Sequence, residues 1–289
     1  MKFLKTIVVI PVGPTCQVNF ILDTLNSIYY YMNQTSTKVI LIDDSQIETG
    51  KLISKTYSKV EVLKTPYNRG KNAGLYYSLA EGFNYAYKNY KFKVLLRLDT
   101  DALIIGKNPE NKAIEYFEKN KKIGILGSYK YSYNGRLRDF SWPERQLILE
   151  SSILSLLKGL YRIKGILTLR TITKQAKKNG YILGEHCMGG ACFYSYNCIK
   201  SLYDNNYLPI KNIQWSKLQE DMIFGLLIKS IDIHMHDFVL GNDTLGVKWR
   251  GLPDKPSELI KKKKIIHSTR FFEDMDEKAI RDYFKSKRN

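Results

Sequence analysis

The sequence predicts an α/β protein built on a mainly parallel sheet, and three observations carry that prediction. Short, continuous, β-branched apolar runs recur along the first 128 residues. Between them lie segments whose apolar residues return at helical spacing. Polar residues collect where the apolar runs stop, at Thr15, Asp43, Asp44, Asn68, Arg69, Asp99 and Asp101. Strands covered on both faces read as uninterrupted apolar runs, and ligands of such sheets bind beyond the carboxyl ends of the strands.

Ile7-Val8-Val9-Ile10 is the first such strand, running into the loop Pro11-Val12-Gly13-Pro14-Thr15. Phe20, Ile21, Leu25, Ile28 and Tyr29 set a helix that reaches about Met32. Val39-Ile40-Leu41-Ile42 repeats the strand pattern and ends in Asp43-Asp44-Ser45. Val60-Glu61-Val62-Leu63 leads into Asn68-Arg69-Gly70, and a helix follows through Leu75, Leu79, Phe83 and Tyr87. The fourth strand, Leu95-Leu96-Arg97-Leu98, stops at Asp99-Thr100-Asp101, and Ile123-Gly124-Ile125-Leu126 is the fifth. Alternate side chains of a strand share a face, so Asp99 and Asp101 are expected to point together into one cleft. Paired carboxylates suit a hard divalent cation that also takes substrate phosphates. Neither GxGxxG nor GxxxxGK[ST] follows a strand, which excludes the dinucleotide-binding and P-loop explanations.

The second half is less regular. Residues 128–143 read as a loop ending in Trp142-Pro143. Residues 146–178 mix apolar residues with Arg162, Lys164, Arg170, Lys174, Lys177 and Lys178, and Glu150 is the one acid there. That pattern fits either a basic amphipathic helix on an anionic membrane surface or an insertion packed on its own domain. Gly190 follows Gly189 inside an apolar stretch and marks either a close approach of backbone to ligand or only a bend. Ser216 and Gln219 fit a capping box that opens a helix whose first turn holds Glu220 and Asp221. His234 and His236 read as structural residues of a strand, His267 ends a late strand, and residues 275–284 have the spacing of a docking helix.

With 289 residues and 44% hydrophobic content, the chain is long and apolar enough to bury a core. Its 46 basic and 28 acidic residues give a net charge of +18, which favours polyanions: nucleic acid, an anionic membrane or phosphorylated small molecules. Cys16, Cys187, Cys192 and Cys198 show no metal or redox spacing, as expected of a reduced, cytoplasmic protein. Pro11 cuts the early apolar run too short for a signal peptide, and no run approaches the roughly 18 residues of a membrane span. The expectation is a soluble protein, at most peripheral at the inner face of the membrane.

Four features in this order, the strand ending in Asp43-Asp44, the loop Asn68-Arg69-Gly70, the strand ending in Asp99-Thr100-Asp101 and the helix start Glu220-Asp221, together resemble the GT-A glycosyltransferases, especially the inverting family 2 group. The resemblance spans residues 5–128 closely and 184–270 more loosely. It implies a Rossmann-like GT-A fold with a helical insertion and a C-terminal extension. Residues 1–128 would form the nucleotide-sugar half, 129–183 an insertion on the acceptor or membrane side, and 184–289 the acceptor half.

By the same resemblance, Pro11, Thr15 and Asp43 or Asp44 would hold the nucleobase and ribose, and Arg69 would contact the donor. Gly190 is counted among the donor-binding residues as the close backbone approach. Asp99 and Asp101, with His267, would hold Mn²⁺ or Mg²⁺ on the donor diphosphate. Asp221, paired with Glu220, matches the general base, and Trp142 and Trp215 are candidate platforms for an acceptor sugar or, equally, core residues. The implied activity is hexosyl transfer of the EC 2.4 class, from a UDP-sugar to a glycan or lipid-linked glycan. The Gln-x-x-Arg-Trp signature of processive synthases is absent, since Lys248-Trp249-Arg250 is a different sequence, and this favours transfer of a single sugar. The competing readings are a sugar-phosphate nucleotidyltransferase, whose early glycine-rich loop is missing, and a polyanion or nucleic-acid binder, for which no recognition motif is present.

Overall fold

A computed structural model describes residues 3–288. The elements run β1 (Phe3–Val12), α1 (Val18–Tyr31), β2 (Thr37–Asp43), α2 (Thr49–Thr56), β3 (Glu61–Lys64), α3 (Ala73–Asn89), β4 (Lys91–Leu98), β5 (Ala102–Ile104), α4 (Glu110–Lys119) and β6 (Ile123–Gly127). They continue α5 (Ser141–Ser151), α6 (Ile163–Lys178), β7 (Ala191–Ser195), α7 (Tyr196–Asp204), α8 (Glu220–Ser230), β8 (His234–Asp237), β9 (Leu245–Val247), α9 (Pro256–Lys262), β10 (Ile265–His267), β11 (Phe271–Phe272), β12 (Met275–Asp276) and α10 (Glu277–Lys285).

Seven strands form the central sheet in the order β3-β2-β1-β4-β7-β6-β8. All neighbours pair parallel except β7, which is antiparallel to both β4 and β6. The mainly parallel α/β architecture expected from the apolar runs is therefore present. Its cause is visible in β1, where Ile7 and Val9 enter one core layer while Val8, Ile10 and Val12 enter the other. Helices α3, α7 and α8 cover the first face and α1 and α4 the second, so every position from Thr6 to Ile10 is buried. A strand from the second half lies between β4 and β6, so both halves of the chain share one sheet. A smaller core, including Leu103, Ile105, Ile266, Ile280 and Phe284, joins the C-terminal extension to β5.

The structure departs from the sequence reading at four places. Asp99 and Asp101 lie in the turn between β4 and β5, closed by the Ala102 amide donating to the Asp99 carbonyl at 3.2 Å, so the turn and not strand alternation brings them together. Trp142 and Pro143 sit in the first turn of α5, where proline is tolerated, and not in a loop. Residues 146–178 are not one helix: α5 stops at Ser151, two 3-10 turns follow at Ile153–Lys158 and Leu160–Arg162, and α6 resumes at Ile163. Gly159, with φ of 136°, supplies a break that a side chain would resist. The expected capping box does not form, because the Ser216 hydroxyl accepts the Leu218 amide at 3.1 Å and α8 begins only at Glu220. Among the described residues, no helix is long and apolar enough to cross a membrane.

Candidate metal centre and transfer site

The turn after β4 sets the site. β10 pairs antiparallel with β5, in a register that puts His267 opposite Ala102, the residue after Asp101. That pairing brings ligand atoms of Asp99, Asp101 and His267 within 4.8 Å of one another. The His267 Nε2 is 3.3 Å from Asp101 Oδ1 and 3.6 Å from Asp99 Oδ2, while its Nδ1 lies 3.0 Å from the Lys248 carbonyl oxygen. With Nδ1 on that carbonyl, the ring turns its Nε2 toward the two carboxylates. Three lone-pair donors facing each other repel unless a proton or a cation lies among them, and two hard oxygens with one imidazole suit Mn²⁺ or Mg²⁺.

Charge around the pair is arranged unequally. Burial pushes the Asp99 carboxyl up, against the pull of Arg97, whose Nη2 is 3.0 Å from Asp99 Oδ1. Burial would also raise Asp101, but the hydrogen bond and charge of His267, together with Arg270 at 2.7 Å, outweigh it and hold Asp101 well below the usual carboxylate range. Beside the pair, Thr15, Gln17, Phe20, Thr100, Asp101 and Arg270 line an open cavity of about 260 Å³. From behind, the Arg281 Nη2 donates to the Thr100 carbonyl at 2.7 Å, so α10 braces the turn.

Across the Gly189-Gly190 backbone lies a second charged group. The same Nη2 of Arg97 reaches Glu220 Oε1 at 2.9 Å, so one buried guanidinium joins the two sides. Burial and the neighbouring Asp221 push Glu220 up to about 8, with Arg97 pulling the other way. Asp221 Oδ2 accepts the Gly189 amide at 3.0 Å, and Oδ1 accepts the Met222 amide at 2.8 Å. His186 Nε2 lies 3.6 Å from Asp221 Oδ2 and 2.8 Å from Arg138 Nη2, with its Nδ1 on the Gly184 carbonyl. The glycines are required by this crowding: a Cβ on Gly189 would come within 2.6 Å of Glu220 Oε1, and one on Gly190, where φ is 95°, within 2.4 Å of the His267 ring. The close approach expected at Gly190 is thus to a side chain of the protein.

Other expected residues are placed differently. Asp43 is buried, with Oδ1 accepting the Ser45 amide and hydroxyl and Oδ2 accepting the Gly50 amide at 2.7 Å. Asp44 accepts the Thr65 hydroxyl at 2.6 Å and the amides of Arg69 and Gly70, and so shapes the loop after β3. The Arg69 guanidinium is spent on Glu81 at 2.6 Å and lies 4.5 Å from the centre of the Tyr77 ring. Pro11 lies within β1, facing Ile42 of β2. Trp215 is half-buried with Arg162 4.5 Å from its ring centre and packs against the core, whereas Trp142 is exposed.

Sequence reasoning missed Arg97, Arg138, His186 and Arg270. Arg97 carried a signal, being a charge inside the apolar run Val94–Leu98, where burial demands partners. His186 and Arg138 carried none, because loops distant in sequence bring them together.

No family model matches the chain, and no curated protein matches it. Among solved structures it is similar to Staphylococcus aureus TarS 1–349, with 16% identity, a TM-score of 0.45 and coverage of 92% of this chain and 61% of that one. It is also similar to the mannosyltransferase PcManGT from Pyrobaculum calidifontis in complex with GDP-Man and Mn²⁺, with 12% identity, a TM-score of 0.46 and coverage of 82% and 55%. TarS 1–349 in complex with UDP-GlcNAc matches at 16% identity and a TM-score of 0.44, covering 81% and 56%. The chain thus spans 55% to 61% of the length of these structures. Residue roles rest on this chain's own geometry.

Proposed function

We propose that this protein is a metal-dependent, inverting glycosyltransferase that moves one sugar from a nucleoside-diphosphate sugar, a UDP-sugar by preference, to a hydroxyl of a glycan or lipid-linked glycan. The observation that carries the reading is the convergence of Asp99, Asp101 and His267 within 4.8 Å, one backbone thickness from Asp221. A divalent ion held by those three residues would act as a Lewis acid toward the departing diphosphate.

The chain's own groups supply the rest. The cavity beside Thr15 and Thr100 receives the nucleotide, and Arg270, exposed at its edge beside Asp101, supplies positive charge toward the phosphates. Base recognition is assigned to the strand ends at Pro11 and Asp43-Asp44, through the backbone that those carboxylates hold in shape. Asp221 accepts the proton of the acceptor hydroxyl as that oxygen bonds the anomeric carbon. The bond to the diphosphate oxygen breaks on the opposite face, and configuration inverts. Gly189 N–H and the His186–Arg138 pair hold Asp221 in place, and Glu220 with Arg97 ties it to the metal side. Trp142 is the candidate platform for the acceptor sugar.

Calorimetric titration with UDP is expected to show binding that needs Mn²⁺ or Mg²⁺, and binding of equal strength in EDTA would refute the metal assignment. In Asp221→Asn, transfer to the acceptor should fall by about 10²- to 10⁴-fold with UDP affinity unchanged, the range general-base catalysis accounts for. An active variant would remove Asp221 from that role.

A further inference from the structure

The connection between α5 and α6 exposes apolar side chains that none of the described residues covers. Of the 21 large hydrophobic residues exposed in the described structure, nine lie between Ile148 and Leu167. Leu154, Leu157 and Leu160, at the tip, are 72%, 88% and 77% exposed. The remainder of the segment is well anchored: Leu147, Ile166, Leu169 and Ile172 are buried, and α6 packs along α8. The tip is therefore a projecting apolar surface on a fixed base, much denser in apolar residues than the scattered exposure normal for a surface.

Its surroundings select the partner. Arg145, Lys164, Arg170, Lys174, Lys177 and Lys178 are exposed around the tip, while the acids of residues 141–178 are only the half-buried Glu144 and the buried Glu150. Between the end of α5 and the face of α6 lies an open groove of about 510 Å³, lined by Ser151, Ser152, Thr173, Arg170, Lys174 and Lys177, with Ile153 at its edge. Three cations and three hydroxyls beside an apolar tip match a phosphate headgroup next to an acyl phase. A second copy of the chain is a poor occupant, because a two-fold contact here would set one basic rim against another.

We propose that the exposed apolar side chains between Ile148 and Leu167, with Leu154, Leu157 and Leu160 at the tip, insert into the headgroup region of an anionic phospholipid bilayer, with phosphates in the Arg170–Lys174–Lys177 groove. The placement has a functional consequence. Pro143 and Glu144 of α5 abut Gly184, two residues before His186, and Gly165 of α6 abuts Trp215, six residues before Asp221. The docked membrane would then adjoin the base side of the site. That the acceptor is itself carried by lipid rests on the transfer reading above, whereas the docking does not.

The test is co-sedimentation of the full chain with phosphatidylcholine vesicles with or without about one-third phosphatidylglycerol, at low and high salt. Binding is expected only to the anionic vesicles and to weaken with salt. Leu154→Ser/Leu157→Ser/Leu160→Ser and Lys174→Glu/Lys177→Glu should each lose at least about tenfold in vesicle binding, with unchanged thermal melting and unchanged metal-dependent UDP binding. No binding of the wild type at low salt would overturn the proposal. So would an unaffected leucine variant, which would mark the groove as a site for soluble phosphate, or a wild-type dimer that the leucine variant converts to monomer. Loss of UDP binding in every protein, with vesicle binding intact, would count against the transfer reading alone.

Discussion

Two pairs of aspartates occupy equivalent places in the sheet, at the carboxyl ends of β2 and β4, and the chain treats them in opposite ways. Asp43 and Asp44 accept hydrogen bonds from the amides of Ser45, Gly50, Arg69 and Gly70 and from two hydroxyls. Asp99 and Asp101 face one another, an imidazole and two guanidinium groups, that of Arg270 exposed and that of Arg97 shared with Glu220. Backbone donors are fixed and neutral, so the first pair is finished by folding alone and shapes the loops around it. Charged side chains can be displaced by a cation, so the second pair is left with work to do. A strand-end carboxylate is a ligand candidate only when backbone amides do not already satisfy it.

One assay, divalent-dependent UDP binding, together with urea unfolding, can break this contrast. Asp101→Asn should reduce binding by about 100-fold or more and destabilise by about 1–3 kcal/mol, because the pairs to His267 and Arg270 that favour the ionised carboxylate are lost. Stability falling sharply with binding intact would show the pair to be structural. Gly190→Ala should weaken binding by about tenfold, because its Cβ must displace the His267 ring, and should cost about 1–3 kcal/mol for the left-handed backbone. A silent Gly190→Ala would mean that His267 does not need its present position. Asp43→Ala should have the smallest effect on binding, under about twofold, yet destabilise by about 2–3 kcal/mol, since it orphans the buried Gly50 and Ser45 amides. A selective loss of UDP affinity would instead return Asp43 to direct base recognition.

The sheet was legible because burial on both faces leaves an unmistakable trace in Ile7–Ile10, Val39–Ile42 and Leu95–Leu98. Short helices were not: α2 has only Leu52 and Ile53 as large apolar residues over Thr49–Thr56, too few to set a helical spacing. The start of α8 was misplaced because a serine hydroxyl can close a tight turn as readily as it can cap a helix, and Ser216 does the former. Asp99 and Asp101 after β4 and His267 on β10 could be named from the sequence, but not the means of joining them. That depends on the β10–β5 register and on Arg97 binding two acids 121 positions apart along the chain, Asp99 and Glu220. Periodicity reports burial, and long-range register is fixed only by the packed whole.

The bond from Arg281 to the Thr100 carbonyl spans 181 residues. During synthesis at about 5–20 residues per second, the turn after β4 would wait roughly ten to forty seconds for that brace, and nearly as long for His267. The sheet around β1, β2 and β4 can assemble meanwhile, but with its carboxylate turn unsupported. Assembly of the Asp99–Asp101–His267 cluster is therefore a late event in the synthesis of these residues, timed by α10.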